Sequence, residues 1–282
     1  MSISAPPEKV SEPKKPRSLK LEFSKAADYD RLNAAFDPKR LRRIDPHGYV
    51  ARRLESHFRQ AVENGNAAFL TDNDEGPKEQ VKGMLIAYHF PEYIDDLPLK
   101  NTHTYTEFGT AMSYIPGYGS AKLIMAALAL KEWLQHPPSR KYVNEIENSN
   151  TASAKTYRDH LKWEAVDDEQ ERSTLFDILY RNVTSDSGQG IGRPPPPSKQ
   201  KDKTFYSLTD HALQIHARIL LDYIDAGGIN NKQGEFIPVD FTALDEEGLS
   251  YARLSAIAAG QTSRQAIMKI GGQSFHTPPP KI

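Results

Sequence analysis

The sequence predicts a mixed α/β domain followed by a mainly helical C-terminal region. Three observations predict it. Apolar residues with strand and helix periods succeed one another as strand, helices, three strands, helix, strand, helix, strand between Leu19 and Val183. The stretch TSDSGQGIGRPPPPSKQKDK (184–203) has no apolar period and reads as an exposed linker. Beyond it, from 204 to 282, apolar residues recur mainly at helical spacing.

The first element is LKLEFSKA, where Leu19, Leu21 and Phe23 alternate with polar residues as in a half-buried strand. A helix over Asp28 to Phe36 and a short one after Asp37-Pro38 follow. Asp45-Pro46 reads as the start of a third helix carrying Val50, Leu54, Phe58 and Val62, closed by Asn64-Gly65. AAFLTDND (67–74) and EQVKGMLIAYHF (79–90) read as the next strands, and a polar loop then leads to HTYTEFGTAMSYI, a fourth strand.

Gly117 and Gly119 stand directly ahead of an apolar helix with Leu123, Ala127, Leu130 and Leu134 on one stripe. The first turn of a helix leaves amides without partners and favours negative charge, and a Gly-x-Gly turn there lets a phosphate come close to the backbone. RKYVNEIEN reads as a fifth strand, Asn150 as the cap of a helix with Ala154, Tyr157 and Leu161, and STLFDILYRNV as one more strand. After the linker, Ser207-x-x-Asp210 resembles a capping box for a helix running through Leu208, Ala212, Ile215, Ile219, Tyr223 and Ala226 to Gly227-Gly228. An irregular stretch precedes two short helices around Gly260.

Composition bounds the function. The chain has 282 residues, 38% hydrophobic and 26% charged, which is enough for a sizeable core in a well-solvated protein. A net charge of −1 gives no overall basic excess for nucleic acid, and the lack of cysteine excludes disulfides, thiolate nucleophiles and cysteine zinc sites. No apolar run approaches the roughly 18 residues of a membrane span. Residues 1–18 read as a disordered, mildly basic tail without the apolar middle of a secretory signal. The expected location is the cytoplasm, with a secreted effector carrying an unstructured leader left open.

Two segments together resemble the GCN5-related N-acetyltransferase (GNAT) superfamily. That family carries [Gln/Arg]-x-x-Gly-x-[Gly/Ala] between its fourth strand and third main helix, where backbone amides hold the coenzyme A pyrophosphate. Gly117, Tyr118, Gly119, Ser120 and Ala121 fit the end of that pattern, with Tyr114 at the Gln/Arg position. The second segment, NTASAKTYRDHLKW, has Asn150, Ser153 and Tyr157 at the family's spacing of Asn, a small residue and Tyr. Where the family closes with Gly-Phe, this chain has Leu161-Lys162-Trp163, one residue longer.

The resemblance covers roughly Leu19 to Val183. It implies a GNAT-like mixed central sheet flanked by helices, and transfer of an acyl group, acetyl above all, from acetyl-CoA to an amine by direct attack. It also implies that Gly117 to Ala121 bind pyrophosphate and that backbone at Met112, Ser113 and Tyr114 lies along the pantetheine and thioester, with Asn150 serving as helix cap or cofactor contact. Tyr157 is the implied general acid, since a phenol with pKa about 10 keeps its proton at neutral pH; a tyrosine that only packs its helix against the sheet is the alternative. Glu107 is the candidate base, with Glu145, Glu147 and His103 competing for that role.

Other constellations are poor. The nine histidines never form His-Glu-x-x-His, and His211 and His216 are five apart, so no metal is expected. Acidic residues such as Asp95, Asp96 or Glu107 would suit an amine-bearing acceptor, whether small molecule, peptide or protein. A GNAT-like module without catalysis is a rival reading. A helix-turn-helix-like hairpin over 249–270, with Arg264, Gln265 and Lys269 toward nucleic acid, is another; a plain hairpin packed on the catalytic domain or on a second copy in a homodimer is favoured over it.

Overall fold

The computed structural model describes residues 18–49, 55–76, 79–90, 104–181 and 197–271. The expected tail, Val50 and Leu54, Asp95 and Asp96, His103 and linker residues 184–196 lie outside them. No described helix is long and apolar enough to cross a membrane.

In chain order, β1 (Leu19–Phe23) leads through a 3₁₀ turn to α1 (Tyr29–Ala34) and α2 (Pro38–Ile44), then α3 (Glu55–Glu63), β2 (Ala67–Thr71), β3 (Val81–Phe90) and β4 (Tyr105–Ser113). Next come α4 (Ser120–Gln135), β5 (Lys141–Glu147), α5 (Thr151–Lys155) with a π turn over Thr156–His160, β6 (Glu164–Ala165) and α6 (Glu169–Arg181). The remainder is α7 (Pro197–Gln200), β7 (Lys203–Ser207), α8 (Asp210–Ala226), β8 (Gly228–Asn230), β9 (Phe236–Asp240), α9 (Thr242–Glu246), α10 (Tyr251–Ala258) and α11 (Arg264–Met268).

The strands make one mixed sheet in the order β6-β7-β5-β4-β3-β2-β1-β9-β8. A mixed α/β fold with a central sheet flanked by helices is thus present, as expected. Helix α4 is buried on nearly every side, from Leu123 to Leu134, because it sits between the sheet and α8. A helix apolar all round must be central, and each fully buried leucine there contributes about 1.5–3 kcal/mol. The opposite face of the sheet carries a second apolar cluster in which α1, α3 and α6 supply Leu32, Phe58 and Phe176.

Two segments exchange roles relative to the sequence reading. STLFDILYRNV was expected as a strand, yet it forms most of α6. Asp168 accepts the Glu171 amide at 2.7 Å, and Leu175, Phe176, Ile178 and Leu179 recur at helical spacing on the buried side. The place beside β5 is taken instead by KTFYS at the end of the expected linker, with Asn144 opposite Tyr206 and Glu145 opposite Phe205. Residues 204–207, read as the start of a helical region, are therefore a sheet strand. Thr209, and not Ser207, caps α8 by accepting the Ala212 amide at 3.3 Å.

Asp45 does not open a helix in the described residues: its side chain accepts the Tyr49 amide at 2.9 Å within a turn, and α3 is seen from Glu55. The stretch after α8, read as irregular, holds the β8–β9 hairpin. Its β9 runs parallel to β1, with Leu19 opposite Val239. A single apolar cluster joins Leu21 of β1, Leu128 of α4, Leu220 of α8 and Ile257 of α10.

Candidate active site

Strands β4 and β5 pair in parallel only where Tyr105, Thr106 and Glu107 face Lys141, Tyr142 and Val143. Beyond that point β4 follows β3 while β5 follows β7, so the sheet opens into a wedge. The Asn144 side-chain amide donates to the Phe108 carbonyl across the start of the opening. On β4 two residues, Gly109 and Thr110, face the single Ile86, a bulge that turns the strand end. Gly109 is needed there, since a Cβ would come within 2.7 Å of the Tyr88 ring.

Two cavities flank this wedge. One, of about 420 Å³, is lined by Asp45, Glu107, Asn144, Glu145, Glu147 and Tyr157 among others. The other, of about 200 Å³, is more apolar and lies between the end of β4 and α4, against Leu85, Ile124, Met125 and Leu161. Both share Ala111, Met112, Ser113, Ala152, Ser153 and Tyr157. The β4 backbone edge and Tyr157 therefore divide a polar chamber from an apolar one.

Tyr157 is buried between aromatic rings, edge-on to Trp163 at 5.2 Å and stacked on Tyr206 at 6.2 Å, and its hydroxyl reaches the Met125 sulfur at 3.7 Å. Burial pushes its phenol above the ordinary value, and the charge of Glu107 pushes the same way. Tyr157 therefore packs its helix against the sheet and holds its phenol proton more tightly than an exposed tyrosine does. Glu107 is itself buried, opposite Tyr88 on β3. Glu145 and Glu147 are drawn toward Lys203 of β7.

The glycine turn leads directly into the first turn of α4, whose Ala121 lines the apolar chamber. Gly117 and Gly119 have φ of 87° and 77°, left-handed values that L side chains rarely adopt, and Gly119 caps α4. Ser113 and Ser120 hydroxyls meet at 2.6 Å, tying the strand end to the helix start. Ala121 is exposed on the first helical turn. Amides of Gly119, Ser120 and Ala121 belong to the set that a helix start leaves without an internal acceptor.

Other expected residues face elsewhere. The Tyr114 hydroxyl donates to the Ala35 carbonyl and its ring lies 3.9 Å from the Arg40 guanidinium, so the side chain turns to α1 and α2 and Tyr114, expected along the cofactor, lines neither cavity. The Tyr118 hydroxyl donates to Glu235 at 2.5 Å. Asn150 accepts the Ser153 amide at 3.2 Å, as a helix cap does, and also lines the larger cavity. Arg264, which the disfavoured nucleic-acid reading would turn toward a groove, is partly buried with its guanidinium over Trp133 at 5.4 Å. That is the geometry of a packed hairpin.

Three features escaped the sequence reading. Lys122, Lys155 and Lys162 form a basic group around His160, whose pKa is lowered by desolvation and further by these charges. Lys155 and Lys162, seven residues apart behind Asn150, with Lys122 just after the glycine turn, were the available signal. Second, the Tyr223 hydroxyl of α8 donates to the Gly119 carbonyl at 3.2 Å, so the C-terminal region braces the turn. Third, Lys162 has φ of 57°, a left-handed conformation that residues with side chains rarely adopt. It follows a π turn, in which the Leu161 amide donates to the Thr156 carbonyl, five residues back, at 3.0 Å.

No family model matches the chain, and no curated protein matches it. Several solved acetyltransferase structures are similar to it at long distance. NAA60 of Arabidopsis thaliana with a bisubstrate analogue aligns at a TM-score of 0.40 and 14% identity, over 68% of this chain and 97% of its own. Diaminobutyrate acetyltransferase EctA from Paenibacillus lautus, with its substrate and coenzyme A, gives 0.36 and 11% over 68% and 94%. A mosquito arylalkylamine N-acetyltransferase, like 5b, gives 0.39 and 13% over 68% and 100%.

Proposed function

We propose that the chain is an acyl-CoA-dependent N-acyltransferase that moves an acetyl group from acetyl-CoA to an amine. The observation that carries this is the pair of cavities meeting at Tyr157, with the apolar one reaching Ala121 on the first turn of α4, next to the glycine turn. Coenzyme A needs such a combination. Amides of Gly119, Ser120 and Ala121 would take the pyrophosphate, assisted by the dipole of the 16-residue α4. Lys122, Lys155 and Lys162 would balance the remaining phosphate charge. The backbone of Ala111 to Ser113 would hold the pantetheine arm along the apolar chamber.

The acceptor then enters from the larger cavity, where Asp45, Glu107, Glu145 and Glu147 against Lys203 leave an acidic lining suited to an ammonium group. Glu107 accepts the proton the amine must lose. The amine nitrogen attacks the thioester carbon, the C–S bond breaks, and Tyr157 gives its proton to the departing thiolate. Proximity of the two substrates is the larger contribution, and the acid and base add to it.

The test is calorimetric titration of the purified chain with acetyl-CoA and with coenzyme A, beside Ala121→Glu. This position is exposed and a carboxylate there suits the helix dipole, so folding is kept while like charge meets the phosphate. Micromolar binding by the wild type and a loss of about 100-fold or more in the variant, roughly 2.7 kcal/mol, is expected. A folded wild type that binds neither ligand would refute the assignment.

A further inference from the structure

At the far end of α4 a different set of side chains converges. Glu132 lies on the last turn with no exposed side-chain surface, and its Oε2 is 2.6 Å from His89 Nε2 and 3.1 Å from His136 Nε2. His136 follows Glu132 by one helical turn, while His89 comes from the end of β3. The two imidazoles meet edge to face with ring centres 4.5 Å apart. The three donor atoms lie within 4.8 Å of one another, and among the described residues no other trio of His, Cys, Asp or Glu does so.

A structural hydrogen bond alone does not account for this cluster: the Glu132 side chain is buried, and its second oxygen, Oε1, has no hydrogen-bond partner. Both histidines remain about a quarter exposed, which leaves a path from solvent.

We propose that His89, Glu132 and His136 form a site for a zinc-class divalent cation that clamps the end of β3 to the end of α4. Two imidazole nitrogens and one carboxylate oxygen are a borderline donor set that suits zinc, with water at the fourth, solvent-facing position. Tetrahedral zinc with ligands at about 2.0–2.2 Å holds its donors about 3.3 Å apart, so His136 is nearly in place and His89 must withdraw by less than an ångström. An outer partner is present too. The buried Asn66 side-chain amide nitrogen sits 3.3 Å from His89 Nδ1, and exchanging the amide's nitrogen and oxygen on metal binding would let it accept the Nδ1–H and free Nε2 for the metal. This site does not depend on the acyltransferase reading, although the same helix begins at the proposed phosphate turn.

The experiment uses the full chain, stripped with chelator, then dialysed against zinc and separately titrated with Co²⁺. One equivalent of zinc, a visible Co²⁺ absorption band of a four-coordinate site and a zinc-dependent rise in unfolding temperature are expected. His136→Ala and the near-isosteric Glu132→Gln should each weaken uptake about 100-fold or more, beyond the 10–100-fold typical of an outer-shell change. Folding of each variant is checked by circular dichroism; should His136→Ala not fold, Glu132→Gln and the wild-type cobalt spectrum decide. A folded wild type that takes up no zinc at millimolar concentration overturns the proposal, as does stoichiometric uptake that persists unchanged in Glu132→Gln.

Discussion

Two regions border α4 and treat polar groups in opposite ways. At its N-terminal end the wedge between β4 and β5 leaves Tyr157, Glu107 and Ala121 of the first turn lining cavities. Along its side, α8 and α10 match the polar groups they bury inside the protein. The Arg253 guanidinium donates to the carbonyls of Gly248 and Ile270, at 2.8 and 3.1 Å. His216 is fully buried, yet both of its nitrogens are engaged. The difference teaches where to look for chemistry: a polar group satisfied by the fold is structural, and one aimed at a cavity is available to a substrate.

The largest break of this contrast is Tyr157→Phe. If Tyr157 is the acid, kcat falls about 10²–10⁴-fold while the KM for acetyl-CoA changes little. Its raised pKa carries a second expectation. A phenol held above its ordinary value keeps its proton through pH 10, so the wild-type pH–rate profile has no falling limb from this group up to that point. Steady-state kinetics from pH 6 to 10 tests both, and an unchanged kcat in the variant would make Tyr157 a packing residue alone.

The packed layer is probed at His216. Nε2 accepts from the Trp163 indole N–H at 3.2 Å, which requires the proton on Nδ1, where it is donated to the Ala212 carbonyl at 2.6 Å. Protonating Nε2 would set two donors against each other. Burial accordingly lowers the His216 pKa to about 4, against 6.5 for an exposed imidazole. The sign follows: the unfolded chain binds the proton more readily, so this contribution is complete above pH 6.5 and is lost as pH falls toward 4. The loss is about 3 kcal/mol. Chemical denaturation at pH 7 and pH 4 should show it in the wild type, and His216→Gln should lack that part of the difference.

The smallest effect sharpens the boundary between the two regions. Lys162 adopts a left-handed conformation at the end of the π turn, so Lys162→Gly should raise stability by about 0.5–1 kcal/mol, the relief of strain exceeding the glycine entropy cost. Thermal unfolding without ligand measures it. A loss of stability would mean that the lysine stem contributes packing beyond its strain.

Much of the wedge was legible because its signals are local. Gly117 and Gly119, the Asn150 cap and Tyr157 on the stripe of Ala154 and Leu161 each act within one or two turns of chain. The segments 173–183 and 203–207 were exchanged because both are short and apolar, and a short apolar run carries no decisive period. The competition for the edge of β5 is settled by packing. KTFYS buries Phe205 and Tyr206 there, while Leu175, Phe176 and Leu179 cover the opposite face of the sheet as a helix.

By itself, then, the sequence determined the α/β class, the order from β1 to α5, the glycine turn and the capped helix with its tyrosine, since caps, positive φ and periodicity are properties of neighbouring residues. Only the tertiary structure decided which segment completes the sheet, that Tyr223 braces Gly119, that Tyr114 turns away to Arg40, and that His89 meets Glu132 and His136 across 43 residues of chain. Those are meetings of segments distant in sequence. They are fixed by which surfaces burial brings together, and no local pattern records them.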